Sequence, residues 1–274
     1  MTSPQHSNTT RRRALRLAYE GGGFAGWQTQ PARDAIQDVL EAALSGVAAH
    51  PVATVCAGRT DAGVHALAQV VHFDSAARRP DSAWVRGVNA LLPPGVAVQS
   101  VVEVGDGFSA RYSALRRSYS YLIYRGTQRH PLYAARSAWV FRPLALERMA
   151  QAAGTLVGEH DFSAFRSSQC QAASPVRRLE RLQLREQGPL LVIDLQANAF
   201  LHHMVRNIVG ALVWVGMGRR SPDWVAQLLE ARDRKAGAPT FAAQGLYLTG
   251  VEYPAQYDVG SWPPASPPGA APPI

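Results

Sequence analysis

Short apolar segments with strand patterns alternate with amphipathic helical segments along most of the chain. Residues 14–19 and 68–73 have strand patterns, and residues 35–48 between them repeat apolar side chains at helical spacing. In the second half, strand patterns over residues 179–185 and 190–195 flank the turn sequence EQGP and predict a β-hairpin. Hairpins mixed with helices indicate an α+β fold, in which helices cover a largely antiparallel sheet.

The length of 274 residues allows one large domain or two smaller ones. We predict a flexible N-terminal tail over residues 1–11, an N-terminal α+β half over residues 12–107, a C-terminal α+β half over residues 108–254, and a disordered tail over residues 255–274. The last segment is rich in proline and alanine, a composition that cannot build a core.

The formal net charge of +8, in a chain with only 18% charged residues, predicts a polyanionic partner such as nucleic acid. Cys56 and Cys170 are too few for a disulfide framework and lack metal-ligand spacing. No apolar run is long enough for a transmembrane helix, and the N-terminus lacks the apolar core of a signal peptide. We therefore expect a cytoplasmic protein without a membrane partner.

The sequence AGRTDAGVHA, residues 57–66, places an aspartate in a glycine-flanked loop between two apolar strand patterns. Asp61 lies two residues after Arg59, and an arginine nearby favours the charged form of a carboxylate. Glycines in such a loop let a substrate approach the backbone. Asp61 is therefore the candidate nucleophile or acid–base group, and a structural Asx turn is the alternative.

A mostly apolar helix is predicted over residues 202–215, with a narrow stripe of polar and small residues along one side. The stripe carries Arg206, and a charge in such a helix requires a carboxylate or phosphate partner. A structural salt bridge and an arginine that points into a functional site both satisfy this requirement. His202 and His203 are adjacent, cannot share a helix face and lack a spaced third ligand, so the sequence predicts no metal site there.

Tyr119 and Tyr121 lie on the same side of a predicted strand and follow Arg116 and Arg117. Aromatic rings beside arginines suit stacking on nucleic-acid bases and contact with phosphates. Packing in the core is the alternative interpretation for each single tyrosine.

Gly21, Gly23 and Gly26 match the GxGxxG pattern of dinucleotide-binding proteins. The third glycine does not open a helix, since helical periodicity begins only near Ala35. We interpret the match as chance. The motifs of phosphate loops, zinc sites and serine nucleophiles do not occur, so the sequence predicts neither a cofactor nor a metal.

CAGRTDAGVHALAQVVHF, residues 56–73, closely resembles the signature of the tRNA pseudouridine synthase A family. GVNALLP, GEHDFSAFR, ANAFLHHMVRNIVG and AQGLYLTGVEYP resemble further family segments in the family's order, so the resemblance covers nearly the whole core, residues 15–257. It implies the pseudouridine synthase fold, in which two similar α+β halves share one mixed, largely antiparallel central sheet flanked by helices. The active cleft lies between the halves.

The resemblance implies that the protein isomerises uridine to pseudouridine at positions 38, 39 and 40 of the tRNA anticodon stem-loop, on a uridine flipped out of its stack. It places the catalytic aspartate at Asp61 and the assisting arginines at Arg59 and Arg206. The resemblance also implies that Tyr119 stacks on the substrate and that Arg59 and Thr60 contact it. The family acts as a homodimer on tRNA and uses no cofactor.

Two other classes of function are alternatives. A tRNA-binding protein of the same fold without catalytic activity would keep the fold and the basic surface. A nucleotide-dependent oxidoreductase is the alternative that the GxGxxG match suggests, and NAD binding would distinguish it. The intact RTD sequence at residues 59–61 favours the synthase.

Overall fold

A computed structural model describes residues 10–259, 262 and 265–270 of the chain. Residues 1–9 of the predicted flexible tail lie outside the described residues. Arg11 already belongs to the first strand, where it pairs with Ser75 and its guanidinium donates to the Glu103 carboxylate at 3.0 Å. The predicted tail therefore extends one residue too far, into the strand.

The described residues form ten strands and six α-helices. The strands are β1 (Arg11–Tyr19), β2 (Thr54–Cys56), β3 (His65–Ser75), β4 (Val96–Val104), β5 (Arg116–Tyr124), β6 (Ala138–Trp139), β7 (Gly158–Asp161), β8 (Val176–Gln187), β9 (Leu190–Ala197) and β10 (Leu246–Glu252). The α-helices are α1 (Ile36–Ala48), α2 (Val88–Leu91), α3 (Pro131–Ala134), α4 (Leu146–Gly154), α5 (Met204–Gly216) and α6 (Trp224–Ala231). A π-helical turn, Ala83–Gly87, leads into α2.

Among the described residues, all ten strands lie in one sheet, in the order β4-β1-β3-β10-β5-β9-β8-β7, with β2 paired to β3 and β6 to β5. The pairing is parallel only between β10 and β3 and between β5 and β6. This confirms the predicted mixed, largely antiparallel sheet of an α+β fold. β10 comes from the end of the chain and lies between β3 and β5, so it joins the strands of the first half to those of the second. The division between residues 107 and 108 stays a prediction.

The apolar sides of α1 and α5 belong to one core cluster with the sheet. Leu40 and Leu44 on α1, and Ile208 and Leu212 on α5, are fully buried, as their helical spacing predicts. Replacing a side chain such as Leu40 with alanine would cost about 2–5 kcal/mol of stability. None of the described helices combines the length and the apolar character that crossing a membrane requires.

Part of the C-terminal segment packs against the sheet. The backbone N–H of Ala265 donates to the carbonyl of Thr249 at 2.8 Å, at a point where the register between β10 and β5 shifts. Ala270 packs against a small buried cluster on β5, β9 and β10. These contacts differ from the disordered tail predicted over residues 255–274. Composition does not reveal that an alanine between the prolines can pack on the sheet, or that the Thr249 carbonyl is available to a backbone N–H. Positions 260, 261, 263, 264 and 271–274 of that tail lie outside the described residues.

Candidate active site

The loop that carries Asp61, residues 57–64, connects β2 to β3 and is called the Asp61 loop below. One hydrogen bond from outside the loop and one within it hold its backbone. The N–H of Trp27 donates to the carbonyl of Thr60 at 2.9 Å, and the N–H of Val64 closes a turn on the carbonyl of Asp61 at 3.1 Å. The loop therefore presents the Asp61 side chain from a fixed backbone.

The sequence EGGGFAG, residues 20–26, packs directly behind the Asp61 loop and is called the glycine loop. A Cβ added to Gly21 would lie 2.0 Å from the carbonyl oxygen of Val64, and one added to Gly26 would lie 2.8 Å from that of Thr60. Gly26 also has a φ of +95°, which disfavours any side chain. These glycines therefore let one loop lie on the other. The GxGxxG match has no nucleotide-binding geometry, because Gly21–Gly23 form a 3-10 turn and the match does not lead into an α-helix.

Arg206, in the first turn of α5, is the charge partner of Asp61. Its Nη1 lies 2.8 Å from Asp61 Oδ2, and its Nε donates to the carbonyl of Phe241 at 2.8 Å. One turn later, Gly210 lets the carbonyl of Pro239 approach α5, since a Cβ there would lie 2.6 Å from that oxygen. The hydrogen bond from Nε to the Phe241 carbonyl orients the Arg206 guanidinium toward Asp61. The side chains of Arg206 and Asp61 are both more than four-fifths buried. The pair satisfies the requirement for a partner that the apolar helix predicts.

The side chains of His202 and His203 also reach Asp61. Nε2 of His202 lies 3.3 Å from Oδ1, and Nε2 of His203 lies 3.4 Å from Oδ2. His203 has a φ of +64°, in the left-handed region, and the two ring centroids are 4.0 Å apart. Burial lowers the pKa of His203, so its ring is neutral at about pH 7. The carboxylate is therefore surrounded by three nitrogen-bearing side chains from one short segment.

Asp61, His202 and His203 form the one group among the described residues that could hold a metal ion, with their ligand atoms within 4.8 Å of one another. The sequence shows no spaced third ligand for the adjacent histidines, but the fold brings Asp61, which is distant in sequence, within 3.3 and 3.4 Å of their rings. Arg206 lies 2.8 Å from that carboxylate, and its positive charge would repel a cation. The arrangement therefore suits hydrogen bonds to Asp61 better than metal ligation.

Tyr119 lies on β5 beside the Asp61 loop. A Cβ added to Gly58 would lie 3.9 Å from its hydroxyl oxygen, and the ring of Phe200 meets it edge-on at a centroid distance of 5.1 Å. Burial, together with the nearby charge of Asp61, raises the pKa of the Tyr119 hydroxyl, so the phenol is neutral. The tyrosine is only 8% exposed. Its position beside the Asp61 loop agrees with contact with a substrate and also with the alternative of core packing.

Thr60 points away from Asp61 and into the core. Its hydroxyl is hydrogen-bonded to the Tyr19 hydroxyl at 2.8 Å, and Gln69 donates to that same tyrosine at 3.2 Å. The side chain is buried. The predicted contact of Thr60 with the substrate is therefore not supported for its hydroxyl, which holds the Asp61 loop to β1.

Arg59 is exposed and, within the described part of the chain, forms neither an ion pair nor a hydrogen bond. Of the two arginines that the sequence offered as charge partners of Asp61, Arg206 forms the ion pair. Proximity in sequence misleads here, because consecutive loop residues point in different directions. An unpaired guanidinium on the rim of the loop stays available to a substrate.

Arg116 and Arg117, the candidates for phosphate contact before Tyr119, both have protein partners. Arg116 pairs with Glu180 and Glu252. Arg117 donates to four backbone carbonyls, one of them that of Ala57 at the start of the Asp61 loop. Arg117 therefore supports the Asp61 loop from behind, and the two carboxylates neutralise Arg116.

The two histidines are the residues that sequence reasoning missed as part of the site. They precede Arg206 in the segment ANAFLHHMVRNIVG, and this closeness is the one signal that could have found them. Their orientation depends on the left-handed backbone of His203, which nothing in the residue type predicts.

A sequence profile described as tRNA pseudouridine synthase matches residues 17–113 and 152–254 of this chain. A protein named tRNA pseudouridine synthase A from Bordetella petrii is 58% identical over 248 residues, which cover 90% of this chain and 92% of that protein. One of the same name from Dechloromonas aromatica is 53% identical over 240 residues, which cover 88% and 92%. A chain of the solved structure titled Crystal Structure of a Cbf5-Nop10-Gar1 Complex matches at 10% identity and a TM-score of 0.33, over 73% of this chain and 45% of that one, which is too low to support any conclusion. On the profile and the close relatives, the chain belongs to the tRNA pseudouridine synthase family.

Proposed function

We propose that the protein is an enzyme that converts uridine in tRNA to pseudouridine. The observation that carries the proposal is the Asp61 carboxylate, held by Arg206 and faced by two histidines, in a chain that is 58% identical over 248 residues to a protein named for this activity. The mixed sheet brings Asp61 from the first half against α5 from the second.

The reaction breaks the bond between N1 of uracil and C1′ of ribose, rotates the base, and joins C5 to C1′. Atoms are rearranged within one nucleotide and no electrons are gained or lost, so the chain's own side chains suffice. An ionised Asp61 acts either as a nucleophile on the sugar or base, or as a base that removes a proton from the sugar and later assists its return. Arg206 stabilises the charged carboxylate through a charge-assisted hydrogen bond.

A uridine inside an RNA stem has to leave its stack before Asp61 can reach it. Unstacking costs a few kcal/mol, and stacking on Tyr119 offsets part of this cost. Because Tyr119 is nearly buried, a stacked uracil requires a local opening of the cleft beside Phe200. Arg59, which is exposed on the Asp61 loop, is placed to contact the nucleotide as it enters.

The proposed substrate is the anticodon stem-loop of tRNA, with modification at positions 38, 39 and 40 as the family resemblance implies. The net charge of +8 supports a polyanionic substrate. We therefore expect tRNA affinity to fall as the salt concentration rises, because binding releases counterions from the phosphates.

Release of tritium from tRNA labelled at uracil C5 tests the activity, since the new bond forms at that carbon. We expect release with the wild-type protein and none above background with Asp61→Asn or Asp61→Ala, while both variants still bind tRNA. Release by Asp61→Ala would refute the catalytic role of Asp61. Absence of release by the wild type on tRNA isolated from a strain that lacks the protein would favour the second candidate, a tRNA-binding protein of this fold without catalytic activity.

The proposal includes two further expectations of the family resemblance, a homodimer and a cytoplasmic location. Exposed apolar side chains such as Tyr112 and Leu132 offer surface for a second copy. The free cysteines Cys56 and Cys170 agree with a reducing compartment. Light scattering during gel filtration, with and without tRNA, tests the dimer, and cell fractionation tests the location.

A further inference from the structure

His202 and His203 approach different oxygens of the Asp61 carboxylate. Nε2 of His202 lies 3.3 Å from Oδ1, and Nε2 of His203 lies 3.4 Å from Oδ2. An ionised carboxylate only accepts hydrogen bonds, so the form of each ring that complements it is the one with a hydrogen on Nε2. A two-residue segment therefore presents an N–H group to each side of the carboxylate.

The two oxygens of Asp61 are held unequally. Oδ2 faces the Arg206 guanidinium at 2.8 Å in addition to His203. Among the described residues, the side chain with a donor near Oδ1 is His202. The His202 side chain is also the more exposed, at 36% against 27% for His203. Replacing His202 therefore frees one oxygen, whereas Arg206 still holds the other when His203 is replaced.

The backbone of His203 is strained in a way that serves this arrangement. A φ of +64° and a ψ of 0° place a residue other than glycine in the left-handed region, which is unfavourable for a residue with a side chain. Its carbonyl accepts from the N–H of Asn207 at 2.9 Å and so begins α5. The same turn directs both imidazole rings at Asp61. The strained backbone of His203 thus sets the orientation of the two rings at the candidate active site.

We propose that His202 and His203 are positioning residues that hold the Asp61 carboxylate in its reactive orientation. The inference rests on the proposed function, because it concerns the same site. The two contacts are longer than a usual N–H···O hydrogen bond of about 2.7–3.2 Å. Hydrogen bonds in active sites often tighten only when the substrate is bound. Entry of the uridine would therefore draw both histidines onto the carboxylate.

Replacement of each histidine by glutamine and by phenylalanine separates the donor from the bulk of the ring. Glutamine keeps an N–H group at nearly the reach of Nε2, whereas phenylalanine keeps the ring and removes the donor. His160→Phe is the matched control, because His160 lies on β7 at the edge of the sheet. The measurements are the single-turnover rate of pseudouridine formation, the Kd for tRNA, and the Tm of each variant.

We expect His202→Phe to lower the single-turnover rate about 10- to 100-fold, with the tRNA Kd changed less than about twofold. His202→Gln should recover most of the rate, and His203→Phe should lose less than His202→Phe. A wild-type rate in His202→Phe would overturn the inference, as would failure of His202→Gln to recover activity in a variant that melts like the wild type. Absence of pseudouridine formation by the wild type would instead overturn the proposed function.

Discussion

The Oδ2 atom of Asp61 lies 2.8 Å from the Nη1 atom of Arg206, although 145 positions separate the two residues in sequence. Asp61 comes from a loop of the first half, and Arg206 comes from a helix of the second. β10 joins the strands of the two halves between β3 and β5. The candidate active site therefore requires elements of both halves to be in place, so its assembly is coupled to folding.

The first prediction concerns the guanidinium of Arg206. Arg206→Met should lower the single-turnover rate about 100- to 1000-fold, because the preorganised positive charge beside Asp61 is lost. Arg206→Lys should lie between Met and the wild type, since an ammonium group cannot bond both Asp61 and the Phe241 carbonyl in the fixed geometry of a fork. Rates are compared at saturating tRNA, beside a Tm for each variant. A wild-type rate in Arg206→Met would show that the ion pair has no role in the reaction.

Much of this site follows from local sequence patterns. The glycine-flanked loop identifies Asp61 as the reactive candidate, and the lone charge in an apolar helix predicts that Arg206 has an acidic partner. Both inferences use spacing within one element. The partnership itself depends on how distant elements meet, so the residue patterns leave a structural salt bridge open as an alternative.

Other features of the site depend on backbone geometry that the residue types do not reveal. His203 adopts a left-handed conformation that is uncommon for histidine, and this conformation brings the two rings to Asp61. Arg59 lies two positions before Asp61 in sequence, yet its side chain is exposed to solvent. Thr60 turns inward to Tyr19. The direction of a loop side chain is set by long-range packing, which a single sequence does not show.

The second prediction concerns the contact of the glycine loop with the Asp61 loop. Gly26→Ala should lower both Tm and catalytic rate, because the added Cβ would lie 2.8 Å from the Thr60 carbonyl and Gly26 has a φ of +95°. Gly22→Ala is the matched control, since a Cβ at Gly22 has no atom within 4 Å. Thermal unfolding and tritium release measure both effects. Equal behaviour of the two variants would mean that the close contact is not needed.

The third prediction separates the ring of Tyr119 from its hydroxyl. Within the described part of the chain the hydroxyl makes no hydrogen bond, so Tyr119→Phe should turn over within about threefold of the wild type. Tyr119→Ala removes the stacking surface and should lose most turnover, with a stability cost of about 3–5 kcal/mol for the cavity. Tyr119→Leu fills more of the space without an aromatic face and serves as the control. Turnover in the leucine variant equal to that of Tyr119→Phe would argue against stacking.

The fourth prediction concerns metal ions. The enzyme should keep its full rate after it is treated with a chelator, desalted, and assayed with separately folded tRNA. Arg206 already neutralises the Asp61 carboxylate, and its positive charge would repel a metal cation there. The assay is tritium release before and after treatment. A loss of rate that zinc restores would reassign Asp61, His202 and His203 as metal ligands.

The last prediction uses two buried histidines outside the immediate site. Nδ1 of His65 accepts from the N–H of Gly21 at 3.1 Å, and Nδ1 of His72 accepts from the N–H of Ala110 at 3.0 Å. A nitrogen that accepts a hydrogen bond carries no proton, so both rings are neutral in the folded state. Burial lowers the pKa of both histidines from the ordinary value of 6.5, in agreement with these hydrogen bonds.

The unfolded chain binds protons on these histidines near pH 6.5, whereas the folded protein binds them only at lower pH. The free energy of unfolding should therefore fall as the pH decreases below about 6.5, since acid favours the state that binds more protons. Protonation of His65 would also break its bond to Gly21 and so loosen the glycine loop behind Asp61. Urea unfolding at a series of pH values measures the effect. His65→Asn, whose side-chain oxygen accepts in place of Nδ1 and does not titrate, should flatten the profile; a slope unchanged by this substitution would assign the acid sensitivity to other groups.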